Sequence, residues 1–270
     1  NYMNQLPVHL KKRVLVTGGA HRLGAEICQQ FANKGWEIIL HYQHSKEAAL
    51  QLCDKLQQQG IKASPIMADL SCLKSRQEMV AQIQQQWGFI HAVINNASMF
   101  SPDQGTDYIE EIALQQLKVN LLAPMDLAKA LATQLAPPEG QDACVVHILD
   151  QKVMNLNPDY FSYTVSKLAL ERCVQLQAQA LAPQVRVCGL APGLMYLSGD
   201  QSQANFDKAS SANLLKKPIN PVDVALTAEF LASNPSITGT TLAVDNGQHL
   251  VPSARDIMFV VDDLLKDNTK

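Results

Sequence analysis

The sequence predicts an α/β protein built on one doubly wound sheet of seven mainly parallel strands, with helices on both faces. Two observations lead there and a third bounds the size. Short β-rich runs alternate along the chain with longer segments of helical periodicity. Nearly every pair of successive runs is separated by enough residues for a helical crossover, which parallel pairing requires, and a parallel sheet is covered on both faces. With 270 residues, 47% hydrophobic and 17% charged, the chain can bury one large core. It reads as a single domain over residues 1–270, without internal repeat or linker.

The first strand is expected at residues 14–17, followed by Thr17-Gly-Gly-Ala-His-Arg-Leu-Gly24. Gly18 and Gly24 stand where a strand turns into a helix, and glycines there permit positive φ and close backbone approach while helix N–H groups face an anion. A plain strand-to-helix turn has the same look, but the place after the first strand of a βαβ unit argues for dinucleotide phosphates. Arg22 occupies a position where many such loops carry another glycine. Its guanidinium suits a pyrophosphate or an acidic substrate group, or else marks an exposed helix entry.

The second strand, 37–41, leads into His41-Tyr42-Gln43-His44-Ser45-Lys46. A carboxylate here would accept from the 2′-hydroxyl of NAD, whereas donors and cations accommodate the 2′-phosphate of NADP. No acid precedes Glu47, so NADPH is the expected cofactor, with Ser45 also fit to cap a helix. After the third strand, 63–67, Asp69-Leu70 is placed to hydrogen-bond an adenine amino group or to cap a helix. The remaining strands are expected at 92–95, 144–149, 185–190 and 242–244, and long helices at 119–135 and 163–181. Residues 194–217, polar and weakly periodic, suit a substrate-covering segment at the carboxyl edge of the sheet, or an ordinary surface helix and loop. Residues 251–270 form a C-terminal extension whose Ile257, Met258, Val260, Val261, Leu264 and Leu265 share one helical face, against the body or a neighbouring subunit.

Composition narrows the function. A formal net charge of -3 gives no broad basic field for nucleic acid. No apolar stretch reaches the roughly 18 residues of a membrane span, and the N-terminus lacks a charged-then-apolar secretion pattern; Asn1-Tyr2 ahead of Met3 reads as an added remnant. Six cysteines are dispersed without a C-x-x-C pair and read as reduced, mostly packed thiols in a cytoplasmic protein. No metal is expected.

The chemistry is concentrated in Tyr163-Thr-Val-Ser-Lys167. A tyrosine four residues before a lysine shares a helical face with it and can form a proton donor tuned by a cation. Asp150 stands thirteen residues earlier, at the end of an apolar run. With the glycine turn, these residues suggest hydride transfer from a nicotinamide cofactor.

Thr17-Gly18, Asn95-Asn96-Ala97, Asn120, Tyr163-x-x-x-Lys167 and Pro192-Gly193 stand in the order and spacing of the short-chain dehydrogenase/reductase family, which the chain resembles from about residue 12 to 250. The resemblance implies a Rossmann-type sheet, with Tyr163 as proton donor. Lys167 would hold the nicotinamide ribose and lower the tyrosine pKa, and Asn120 would support a water relay to the lysine. It also puts Leu23, Asn95, Ala97, Ser98, Pro192 and Gly193 beside the cofactor and Leu194 beside the substrate. Helices equivalent to 119–135 and 163–181 pair across subunits in this family, so a homotetramer is expected.

Departures from the common pattern sharpen the expectation. Asp150 replaces the usual serine, Arg22 the third glycine and Ser98 the glycine after Asn-Asn-Ala; with Phe100 and His-Tyr-x-x-Ser these resemble the pteridine reductase branch. Chemistry agrees, because an ionised Asp150 would repel the oxyanion of a reduced ketone, whereas a carboxyl can assist proton delivery to the nitrogen of a C=N bond, directly or through Tyr163. The resemblance also has Phe100 stack on a pterin, with Ser98 and Arg22 at its edge or on the cofactor phosphates. The expected reaction is reduction of a dihydropterin, such as dihydromonapterin or dihydrobiopterin, with dihydrofolate as a weaker substrate. A reductase of carbonyl substrates and a non-catalytic dinucleotide-binding protein are the alternatives.

Overall fold

Alternation of apolar side chains buries the inner strands on both sides. In β1 (Arg13–Val16) Val14 and Val16 join one core and Leu15 the other; in β2 (Glu37–Tyr42) Ile38 and Leu40 oppose Ile39. The remaining strands are β3 (Ala63–Met67), β4 (Ala92–Asn95), β5 (Ala143–Ile148), β6 (Val185–Pro192) and β7 (Thr241–Val244). The computed structural model describes residues 11–135 and 141–267. Asn1-Tyr2, the N-terminal stretch inspected for a secretion pattern and the last three residues of the C-terminal extension lie outside them.

All seven strands form one sheet in the order β3-β2-β1-β4-β5-β6-β7, and every pairing is parallel. Helices α1 (Arg22–Asn33), α2 (Lys46–Gln58) and α8 (Pro221–Ser233) give Ile27, Cys53 and Leu231 to one core. Helices α3 (Leu73–Trp87), α5 (Ala123–Thr133) and α6 (Phe161–Leu181) give Met79, Leu127 and Ala178 to the other. The strand order reverses between β1 and β4, which opens a crevice at their carboxyl ends.

One expected helix is longer at its start and carries a distortion. The helix expected at 119–135 is part of a continuous run in which α4 (Glu110–Leu117) passes through a wide π-type turn at Lys118–Leu122 into α5, ending at Thr133. Pro124 has no N–H to return to the carbonyl of Asn120, and the ladder widens there. The other long helix starts two residues early, at Phe161.

The segment 194–217 carries a short helix, α7 (Gln203–Ala209), and the C-terminal extension forms α9 (Ile257–Asp267). These two helices pack on each other within one chain. The Asn205 carboxamide donates to the Met258 carbonyl at 2.7 Å and to Asp262 Oδ1 at 2.6 Å, and Val261 is buried. All six cysteines are free; Cys28, Cys53, Cys144 and Cys188 are buried, Cys173 is half-buried and Cys72 is exposed. Among the described residues no helix is long and apolar enough to cross a membrane.

Candidate active site

The turn between β1 and α1 is shaped by two glycines that cannot be replaced without displacement. Gly18 has φ +59°, and a Cβ there would stand 3.1 Å from Ala97 Cα; a Cβ on Gly24 would stand 1.9 Å from the Gly18 carbonyl oxygen. Thr17 Oγ1 accepts from the amides of Asn96 and Ala97 at 2.9 and 3.0 Å, and Asn96 Nδ2 donates to the Thr17 and Gly18 carbonyls. These bonds clamp the turn to the end of β4. α1 opens without a side-chain cap, so its N-terminus and the bare glycine turn suit a pyrophosphate. Arg22 keeps a left-handed backbone, φ 48°, while its guanidinium lies 5.8 Å from the Tyr196 ring centre. It has the backbone shape of the glycine it replaces, with a cation added.

Not every residue expected at the cofactor faces the crevice. His41 is turned inward: its Nδ1 accepts from the Gly18 amide at 3.0 Å and its Nε2 lies 3.0 Å from the Ala68 carbonyl. Burial lowers its pKa, so a neutral ring braces the glycine turn in place of offering a donor to a ligand. Tyr42 packs against the core. Leu70 is core, and Asn95 points to His147. Asp69 is preset by Ser71, whose amide and hydroxyl both donate to Oδ1 at 2.9 and 2.7 Å and hold its pKa down. His44 and Ser45 line an open concavity with His21 and Lys46 at the end of β2, a donor-rich place for a 2′-phosphate.

At the other end, β5 delivers Asp150 and the first turn of α6 delivers Tyr163. The Tyr163 hydroxyl donates to Asp150 Oδ2 at 2.9 Å, while Asp150 Oδ1 accepts from the Lys152 amide at 2.9 Å. Lys167 Nζ donates to the Ile148 carbonyl at 2.8 Å and stands 5.8 Å from the Tyr163 ring centre. Burial lowers Lys167 to about 8 against the pull of Asp150. The expected lowering of Tyr163 is reversed: desolvation and the Asp150 carboxylate push its hydroxyl well above the ordinary range. Tyr163 is therefore held as the neutral phenol.

Asn120 does not reach Lys167 with its side chain. Its Oδ1 accepts from the Met99 amide at 2.7 Å and lies 3.4 Å from Ser98 Oγ, and its Nδ2 donates to the Met99 carbonyl and to Ser166 Oγ at 2.8 and 3.0 Å. The side chain is a strut between the loop after β4 and α6. Phe100 is 40% exposed, stacked on Tyr160 at 4.0 Å between centroids and perpendicular to Tyr163 at 4.7 Å.

A cavity of about 310 Å³ joins these parts. Arg22, Leu23, Ser98, Phe100, Asp150, Tyr163, Lys167, Pro192, Gly193 and Leu194 line it. Gly193 is pinned there because a Cβ would stand 2.5 Å from Ile219 and 2.6 Å from Gln248.

The family model described as enoyl-(acyl carrier protein) reductase matches residues 18–249. The chain belongs to the short-chain dehydrogenase/reductase family. Dihydromonapterin reductase of Citrobacter koseri is 26% identical over 237 residues, covering 88% of this chain and 96% of the relative. Among solved structures, FolM alternative dihydrofolate reductase 1 of Brucella suis, in complex with NADP, is 35% identical with a TM-score of 0.85, covering 90% of this chain and 96% of that one. Its counterpart from Brucella canis, also complexed with NADP, is 34% identical with a TM-score of 0.82, covering 88% and 94%.

For a short-chain reductase, the cavity has a second wall, part of it from the segment 194–217 expected to cover a ligand and part from residues not singled out in the sequence. Gln151, Lys152, Tyr160, Tyr196, Gln201 and Gln248 line it, as do Asp256, Ile257 and Met258 of the C-terminal extension. Asn96, not Asn95, makes the clamp on the glycine turn. The alternation of β4 was the available signal, since adjacent residues leave a strand in opposite directions.

Proposed function

We propose that this protein is an NADPH-dependent pteridine reductase that converts a dihydropterin, such as dihydromonapterin or dihydrobiopterin, to the tetrahydro form. The observation that carries the reading is the hydrogen bond from Tyr163 to a carboxylate, Asp150. A carbonyl reductase builds negative charge on oxygen beside this position, and a carboxylate there opposes it. Reduction of a C=N bond instead calls for a proton on nitrogen, which the Asp150–Tyr163 pair is built to deliver. The relatives named for dihydromonapterin and dihydrofolate reduction support the same choice.

A bound nicotinamide supplies hydride to the imine carbon. The chain's own residues do the rest. The crevice turn with Arg22, Leu23 and Gly24 receives the pyrophosphate, and His44 and Ser45 meet the 2′-phosphate. Ala97, Pro192 and Gly193 shape the floor, while Phe100 and Ser98 orient the pterin and Leu194, with the segment 194–217, covers it. Tyr163 gives its hydroxyl proton to the ring nitrogen while a proton from solvent enters through Asp150 and is returned to the tyrosine oxygen, so that no phenolate is left beside the carboxylate. The Lys167 ammonium offsets the negative charge left on the pair, and Asn120 holds α6 against the loop after β4.

Absorbance assays of NADPH oxidation with dihydromonapterin, dihydrobiopterin and dihydrofolate, with NADH and a ketoacyl thioester as comparisons, test the reading. Pterin turnover with NADPH supports it, whereas thioester turnover with inert pterins makes the protein a carbonyl reductase. Exposed Leu114, Val165 and Leu176 on α4 and α6 support a homotetramer, which light scattering measures. The six free thiols suit a reducing, cytoplasmic setting.

A further inference from the structure

The C-terminal extension spans the cavity and is fastened on two sides. On one side Arg255 Nε and the Asp256 amide both donate to Asp159 Oδ2, each at 2.8 Å. On the other, Asn205 of α7 holds the Met258 carbonyl. An aromatic series runs beneath it, Phe100 on Tyr160 at 4.0 Å and Tyr160 on Phe259 at 6.3 Å. The wall carrying Asp256 is therefore continuous with the surface that receives the reacting ring.

Among the described residues, the one cation on this wall, Lys152, is already engaged. It is buried and gives its ammonium to the Asp159 carbonyl, with Asp256 also drawing on its charge, while Arg255 of the extension is paired with Asp159. Gln201 and Gln248 spend their side-chain oxygens on the amides of Ser198 and Leu194. Asp256 accepts from the Met258 amide at 3.0 Å through Oδ1, which caps α9 and leaves the carboxylate at the cavity. Burial raises the Asp256 carboxyl above the usual carboxylate range, against the Met258 amide and the Lys152 ammonium, which favour its ionised form. Gln151, nine-tenths buried on the same cavity, has a carboxamide oxygen with no donor among the described residues. The wall is thus rich in acceptors and poor in available cations.

We propose that Asp256 is a specificity-determining residue: its carboxylate accepts hydrogen bonds from a neutral, hydroxyl-bearing tail on the substrate ring and repels a tail that ends in carboxylates. Hydroxyl donors satisfy acceptors that water must otherwise serve, and like charges at close range are discriminated against by repulsion as much as by lost contacts. This rests on the pteridine reductase reading and assigns the side-chain preference of that site to a residue outside the family's motifs.

The test compares the full chain with Asp256→Asn, which keeps an oxygen for the Met258 amide and so keeps the helix cap while removing the charge. Steady-state kcat and KM are measured with NADPH and two substrates, a dihydropterin with a polyhydroxylated side chain and dihydrofolate with its glutamate tail. The ratio of their kcat/KM values is independent of the active fraction, so a purely structural loss leaves it unmoved. The expected result is a fall of about tenfold in the preference for the hydroxylated substrate, carried by KM. An unchanged ratio with an active parent chain overturns this assignment alone; a parent chain inert toward both dihydropterins overturns the functional reading and this inference with it.

Discussion

The cavity has a floor and a roof of different construction. The floor, from the glycine turn after β1 to Asp150, Tyr163 and Lys167, is set by the ends of strands and by one helix face, with short bonds between buried groups. The roof, made by residues 194–217 and the C-terminal extension, is held by a few polar fasteners between segments far apart in sequence. Under the proposed function, the difference places chemistry where the fold leaves least freedom and selection among substrates where segments can vary without disturbing the sheet.

Breaking the floor at its reacting atom should have the largest effect. Tyr163→Phe removes the hydroxyl and leaves the ring packed, so turnover should fall by roughly 10²–10⁴-fold while NADPH affinity, read by fluorescence titration, changes little. Unchanged turnover would remove Tyr163 from the proton path. Next comes Gly24→Ala. The new Cβ would overlap the Gly18 carbonyl at 1.9 Å, so the turn must open, costing about 1–3 kcal/mol of stability and more than tenfold in NADPH affinity. Thermal unfolding and the same titration check both, and a variant that matches the parent in each would show the turn to be pliant.

Acid–base behaviour probes the floor a third way. Burial brings Lys167 down to about 8, so its ammonium is present below that pH and lost above it. Turnover should decline as pH rises through about 8, approaching tenfold per pH unit. A profile flat to well above that pH would show that the ammonium is not needed.

Much of the floor was readable because local geometry encodes it. Gly18 and Gly24 are required by contacts within one turn, and Tyr163 and Lys167 meet through the four-residue period of a single helix. Misreadings arose where burial decides the outcome. His41 follows the apolar run of β2 and looks like a donor at its end, but it faces into the protein between Gly18 and Ala68. Tyr163 was expected to titrate low beside a lysine, yet desolvation and Asp150 raise it, and the lysine ammonium is turned to the Ile148 carbonyl. The wide turn at Lys118–Leu122 had a sequence signal in Pro124, four residues past Asn120. The roof showed its two segments in the polar run 194–217 and the apolar face of 257–265 but not its fasteners: Arg255 finds Asp159 across 96 residues and Asn205 finds Asp262 across 57, distances over which no local period carries information.

The smallest effect should come from loosening the roof without touching the cavity. Arg255 is half exposed and does not line the cavity; it ties the extension to Asp159 through one hydrogen-bonded ion pair. Arg255→Ala leaves the second tie, the Asp256 amide on the same carboxylate, in place, so the extension should stay docked but sample open positions more often. The Asp159 end of the pair is buried, so the carboxylate left without its guanidinium should lower the melting temperature modestly, the Asp256 amide still meeting it. KM for the pterin should rise a few-fold at nearly constant kcat, because the Asp150–Tyr163 pair is untouched, and hydrogen exchange should quicken in α9 ahead of the sheet. A large loss of kcat would mean that the roof shapes the reacting geometry itself, and the division between a chemical floor and a selective roof would fail.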